Sequence, residues 1–195
     1  MSSTFYGCTG LTEAPTIPSS VTTIAVNSFN EYNDIELVGK ALKILTSKPG
    51  LYGMIGGQVI DIEYTGKELN LNIIENIHKL KTGALLQCSM MIGAILAGAS
   101  DEEVKIIEQV GLDIGMAFQI QDDILDVTST DEELGKPVNS DEKNSKITYV
   151  NLVGVEKAKE LVKDYTDRAI NNLVNLNGKN DFLIELLEKL VNRKK

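Results

Sequence analysis

The sequence predicts an all-α protein, and three observations carry that reading. Leu, Ile, Val and Ala dominate a chain that is 43% hydrophobic but only 5% aromatic, and four prolines are spread over its 195 residues, a composition that suits helices. Apolar residues recur at three- and four-residue spacing through several stretches. Capping side chains open those stretches, and Gly or Pro turns close them. A chain of this length can bury a core of its own.

The charge and cysteine content exclude several classes. A net charge of -9 argues against nucleic acid as a partner, and it demands local cations wherever a phosphate is to bind. Cys8 and Cys88 are the only cysteines, too few for a disulfide framework, so a reducing compartment fits. No uninterrupted apolar run reaches membrane-spanning length, and no basic region followed by an apolar one opens the chain. The chain reads as soluble and cytoplasmic.

Residues 1–30 differ from the rest: Ser, Thr, Gly and Pro are frequent and charge is nearly absent. Phe5, Cys8, Leu11, Ile17, Val21, Ile24 and Phe29 stand where one unit of a bacterial-surface leucine-rich repeat places its apolar residues. A single unit cannot bury its own face, so a loosely docked tail is the equal alternative. The domain reading is therefore an atypical segment at 1–30 and a helical unit at 31–195.

Asp34 is placed to cap a helix through Ile35, Leu37, Val38, Ala41, Leu42 and Leu45, which Lys48-Pro49-Gly50 breaks. In the next stretch Gly53, Gly56 and Gly57 allow another backbone or a ligand to come close. The small residues either serve helix packing or admit a ligand, and Gln58 and Asp61, which share one helical face there, form a polar pair placed to line a pocket. Asn70 or Asn72 then caps a long helix with a core stripe of Ile74, Ile77, Lys81, Ala84, Leu85 and Cys88. Lys81 is the anomaly, a cation on an apolar face followed by Thr82. It either snorkels to solvent or serves as a point charge for an anion. His78, the only histidine, reads as a packing or surface residue.

Asp101 and Glu102 open a further helix whose later part, Gly115 to Val127, reads GMAFQIQDDILDV. At about 100° per residue, Gln119, Asp122, Asp123 and Asp126 fall on one face. Ile120, Ile124, Val127, Met116 and Ala117 cover much of the rest, as expected of a buried helix. Three converging carboxylates suit a hard cation such as Mg2+; a solvated acidic face is the alternative, but no Lys or Glu accompanies them between Ile114 and Gln121. Asp113 stands one turn earlier without a readable direction. A polar loop follows, with Gly135-Lys136-Pro137 as a turn and Lys136 and Lys146 as isolated cations. Val155 to Leu176 and Asp181 to Val191 close the chain as amphipathic helices, and the basic end at 192–195 either frays or reaches back to a phosphate.

Taken together, GGQVIDIE, HKLKTGALL, GMAFQIQDDILDV, ELGKPVNSD and the K-I-T-Y of Lys146 to Tyr149 resemble the trans-prenyltransferases. These are the polyprenyl synthetases of the farnesyl and geranylgeranyl diphosphate synthase type. The resemblance runs from about Asp34 to the C-terminus. It implies an isoprenoid-synthase-type helical bundle around a deep cavity, usually a homodimer, that adds isopentenyl diphosphate to an allylic diphosphate. It further implies Mg2+ held by Asp122, Asp123 and Asp126, with Lys81, Lys136 and Lys146 on the diphosphate. Lys81, Thr82 and Gln119 would act at the reacting centre, and Gln58 and Asp61 would line the pocket. The family's first aspartate-rich motif has no counterpart here, so the resemblance covers an N-terminally incomplete bundle, short by roughly two-fifths of a family enzyme. Little or no transferase activity from this polypeptide alone is the resulting expectation, together with exposed apolar faces. A non-catalytic subunit pairing with a full-length homologue, an inactive remnant and a surface interaction protein are the competing readings.

Overall fold

Asp34 opens the first helix as its sequence position suggests: its Oδ1 accepts the backbone N–H groups of Glu36 and Leu37 at 3.0 and 3.2 Å, satisfying donors that a helix start leaves unpaired. The computed structural model describes residues 34–129, 147–176 and 181–193. Residues 1–33, 130–146 (with Lys136 and Lys146), 177–180 and 194–195 lie outside that set.

Among the described residues the elements are helical and there is no strand. Helix α1 is Ile35–Ser47, and the Lys48–Gly53 turn leads to α2, Met54–Glu63. Asn70, not Asn72, caps α3, Leu71–His78, by accepting the Ile73 N–H at 3.1 Å. A five-residue π-helical turn at Lys79–Gly83 then joins α3 to α4, Ala84–Leu96. Helix α5, Asp101–Thr128, starts at a Ser100–Glu103 capping box and runs for 28 residues, about 42 Å at 1.5 Å per residue. Short α6, Tyr149–Val153, is followed by α7, Val155–Val174, and α8, Asp181–Val191.

Helix α5 is the axis of the fold. Its apolar residues Val110, Ile114, Met116, Ala117, Ile120 and Ile124 are buried, and α4 and α7 pack along it while α8, α6 and the π turn cover the remaining sides. The amphipathic closing helices supply Ala158, Val162, Ala169, Leu173, Leu187 and Val191 to the same core. The expectation of a buried stretch at Gly115–Val127 therefore holds for Met116, Ala117, Ile120 and Ile124, whereas Val127 is exposed.

The π turn changes the register of the helix that contains it. A π turn carries one residue more than an α turn, so the continuous stripe expected through this helix does not persist. Ile74, Ile77, Ala84 and Cys88 are buried, whereas Leu85 is exposed and Gln87 takes an inward position. Lys81 and Thr82 sit within the turn itself and are half-buried.

Two glycines fix where the π turn lies. A Cβ on Gly57 of α2 would come 2.6 Å from the Lys81 nitrogen, and one on Gly115 of α5 would come 2.6 Å from Gly83 Cα. Only backbone without a side chain fits at such distances. Of the glycine-rich stretch, Gly57 is thus a packing device between elements, whereas a Cβ on Gly53 or Gly56 would meet the Lys48 or Leu51 carbonyl of the turn just before α2. The opposite face of α2 is apolar and exposed, with Ile55, Val59 and Ile62 in helical register beside Tyr52, in line with the expectation of uncovered apolar surface. No helix among the described residues is long and apolar enough to cross a membrane.

Replacing Gly115 by Ala is expected to lower stability by about 1–3 kcal/mol through overpacking, read from the urea midpoint. Gly39, inside α1 with open space around it, should respond in the opposite direction, gaining about 0.5–1 kcal/mol as Ala. Equal responses at the two sites would rule out the close approach of α5 to the π turn.

Candidate diphosphate and metal site

Helix α2 carries Gln58 and Asp61 three residues apart, and both are half-buried. Asp61 meets the π turn: Lys81 Nζ donates to Asp61 Oδ2 at 2.7 Å. The cation on the apolar stripe therefore neither hangs free in solvent nor lacks a counter-charge. Its ammonium is held by α2, because Gly57 lets the two backbones come together one turn earlier.

Along α5 the predicted cluster separates into different environments. Asp122 is exposed, whereas Asp123 and Asp126 are buried. A single buried face for all three carboxylates is therefore not what the helix presents. Asp123 Oδ2 accepts the backbone N–H of Tyr149 at 2.7 Å, tying α5 to the start of α6. Asp122 pairs with Arg193, which follows α8. The Arg193 guanidinium lies 3.6 Å above the Phe118 ring centroid and also donates to the Leu190 carbonyl at 2.8 Å. The basic chain end thus reaches back to the aspartate helix. Gln119, one turn after Gly115, is half-buried. Gly115 and Asp122 are seven residues apart, so the level of the π turn and that of the exposed carboxylate differ by roughly 10 Å along α5.

Asp113, whose direction the sequence left open, is fully buried and faces α7. Arg168 donates to it through Nε at 2.8 Å and through its terminal nitrogen, and Gln109 Nε2 adds a third bond at 2.9 Å. The hydrogen bonds from Arg168 satisfy a carboxylate that burial alone would make costly. The same contact pushes the Arg168 pKa still further up, with hydrogen bonding to Asp113 as the main cause. This pair anchors α5 to α7 and belongs to the scaffold.

Tyr149 was legible only as the last letter of a motif, yet it joins three elements. Its hydroxyl donates to Glu75 Oε1 of α3 at 3.0 Å, its ring stacks on His78 with centroids 6.0 Å apart, and its backbone N–H serves Asp123. Burial, and then the bond to Glu75, pushes the phenol well above its ordinary pKa, so it stays a proton donor. His78 is a packing residue, as expected from its isolation. Glu75 and Arg168 are residues to which sequence reasoning gave no role, since only spatial proximity connects them to the motifs, and Arg193 of the basic end meets a carboxylate of the aspartate helix.

The donor set bears on Mg2+ in a definite way. Among the described residues no group of three or more His, Cys, Asp or Glu side chains is arranged to hold a metal ion unaided. Mg2+, however, commonly takes one or two carboxylates, retains waters and completes its shell with substrate phosphates. The exposed Asp122 carboxylate fits that open kind of coordination, with the buried Asp126 one turn beyond it.

This combination defines a helical protein whose central helix packs against a cation-bearing π turn and carries an exposed carboxylate two turns further on. Residues 19–185 match the family model for polyprenyl synthetase, and the chain belongs to that family. It is 36% identical to a farnesyl diphosphate synthase of Micrococcus luteus over 166 residues, which is 85% of this chain and 57% of that protein. It is 42% identical over 136 residues to a heterodimeric geranylgeranyl pyrophosphate synthase large subunit from Arabidopsis thaliana, covering 68% of this chain and 36% of the relative. The fold is similar to that of a Helicobacter pylori geranyltransferase crystallised with magnesium and isoprenyl diphosphate. That match has a TM-score of 0.70 at 33% identity and covers 88% of this chain and 56% of that one. The chain spans about half the length of these relatives.

Replacing Arg168 by Met should cost about 2–3 kcal/mol, because it leaves the buried Asp113 carboxylate short of its main partner. Replacing Lys157, whose ion pair with Glu160 is exposed, should leave the urea midpoint unchanged. An R168M midpoint equal to wild type would show that α5 is anchored some other way.

Proposed function

We propose that this chain binds the allylic diphosphate of a prenyl diphosphate synthase and takes part in its head-to-tail condensation with isopentenyl diphosphate. The observation that carries the reading is the Lys81 ammonium on a π turn. Gly83 against Gly115 joins that turn to the aspartate-bearing helix. π turns interrupting a helix recur at functional sites. Asp61 holds the ammonium in place without burying it fully.

In this reading Lys81 meets the diphosphate, joined by Lys136 and Lys146 from the sequence that follows α5. Thr82 and Gln119 turn polar atoms toward the allylic carbon as it gains positive charge. Gln58 and Asp61 line the same side. Asp122 and Asp126 would hold Mg2+, which supplies charge neutralisation for the departing oxygens when bound. The allylic C–O bond breaks and its electron pair leaves with diphosphate. The double bond of isopentenyl diphosphate forms the new C–C bond, and the proton lost there passes to the released diphosphate. Fixed cations favour this most when water is excluded. The uncovered apolar face of α2 and the subunit character of the Arabidopsis relative both support assembly with a second polypeptide, a like chain or a full-length homologue.

Calorimetry with geranyl diphosphate tests the reading. Binding to the wild-type chain should require Mg2+, and Lys81→Ala and Asp122→Ala should each weaken it at least tenfold, about 1.4 kcal/mol. Binding that ignores Mg2+, or that survives both substitutions, would contradict it.

A further inference from the structure

We propose that Asp123 is a positioning residue, acting as a remote cap for α6 in place of the metal-ligand role its motif suggests. The inference rests on the reading that Asp122 faces a metal–diphosphate ligand, and it assigns the neighbouring carboxylate a different task.

The first backbone N–H groups of a helix have no partner inside it. In α6, Thr148 is the N-cap, and its hydroxyl accepts the Asn151 N–H while the Asn151 side chain returns a bond to the Thr148 N–H. That capping box leaves the Tyr149 N–H, at the first helical position, to find an acceptor elsewhere. Asp123 supplies it at 2.7 Å. Both residues are buried, so the bond is charge-assisted and shielded from water. A negative charge at a helix start is favourable in its own right.

The consequence reaches the site. Tyr149 is fixed at its other end by Glu75 and by the His78 ring, both on the helix that continues into the π turn. The chain of contacts Glu75–Tyr149–Asp123 therefore ties the helix leading to Lys81 to the turn of α5 that carries Asp122 and Asp126. Asp123 sets how far those two carboxylates stand from the ammonium, because its own carboxylate is drawn toward the α6 backbone.

Charge and hydrogen bonding can be separated by substitution. Asn keeps an oxygen that can accept the Tyr149 N–H but lacks the charge a metal needs; Ala removes both. Two measurements on the full chain decide the matter. The first is amide hydrogen exchange across residues 147–153 without metal. Asp123→Ala should speed exchange at Tyr149 by at least about tenfold, the loss of roughly 1.4 kcal/mol of local protection, and Asp123→Asn should restore most of it. Unchanged exchange in Asp123→Ala would overturn the proposal whether or not the chain binds metal. The second is Mn2+ binding followed by electron paramagnetic resonance in the presence of pyrophosphate. Asp123→Asn should keep near-wild-type affinity, with Asp123→Ala weaker by about tenfold as for other groups that orient metal ligands. An Asn variant as weak as Ala would overturn the proposal and return Asp123 to the metal. Asp122→Asn serves as the separate check: if it binds Mn2+ as wild type does, the functional reading fails while the exchange result still stands on its own.

Discussion

The close approach of Gly83 to Gly115 is the contact on which the rest of the molecule depends. It brings the π turn against the central helix with no side chain between them. Gly57 does the same from the other side, placing α2 against the Lys81 backbone. Three helical segments therefore meet at one point, and the polar side chains near it are positioned by backbone packing more than by their own bonds. Lys81 can reach Asp61 only because α2 lies this near. The glycines cost conformational entropy in helices, which is tolerable where packing density repays it.

Around that point the protein balances its carboxylates one at a time. Asp61 has Lys81, Asp113 has Arg168, and Asp122 has Arg193, while Asp123 uses a helix start. In an acidic chain of net charge -9, such pairing keeps neighbouring aspartates from repelling one another. The exposure of the carboxylate in each pair separates scaffold from site. Asp113 is fully buried and serves packing, whereas Asp122 keeps an exposed carboxylate whose present partner, Arg193, comes from the far end of the described chain.

Much of this was legible in the residues themselves. The caps at Asp34 and Asn70, the acidic start of α5 at Asp101 and the Asp181–Val191 helix follow from local chemistry, which acts over a few residues. The π turn did not, because nothing in a three- and four-residue pattern signals one extra residue, and Leu85 was consequently placed on the wrong face. The aspartate motif was legible as a set but not in its division. A helical wheel puts Gln119, Asp122, Asp123 and Asp126 within one arc, yet the arrival of α6 draws Asp123 to the Tyr149 N–H while Asp122 remains exposed. Such long-range contacts depend on where distant helices fall. The roles expected for Lys136 and Lys146 concern residues outside the described set.

A crystal structure of the chain with Mg2+ and a non-hydrolysable thiolo analogue of an allylic diphosphate would test the central claim most directly. The account predicts diphosphate oxygens within hydrogen-bonding distance of Lys81 Nζ and a Mg2+ ion joining them to the Asp122 carboxylate, with Asp123 still on the Tyr149 N–H. A diphosphate bound away from the π turn, or a metal held by Asp123 in place of Asp122, would contradict it.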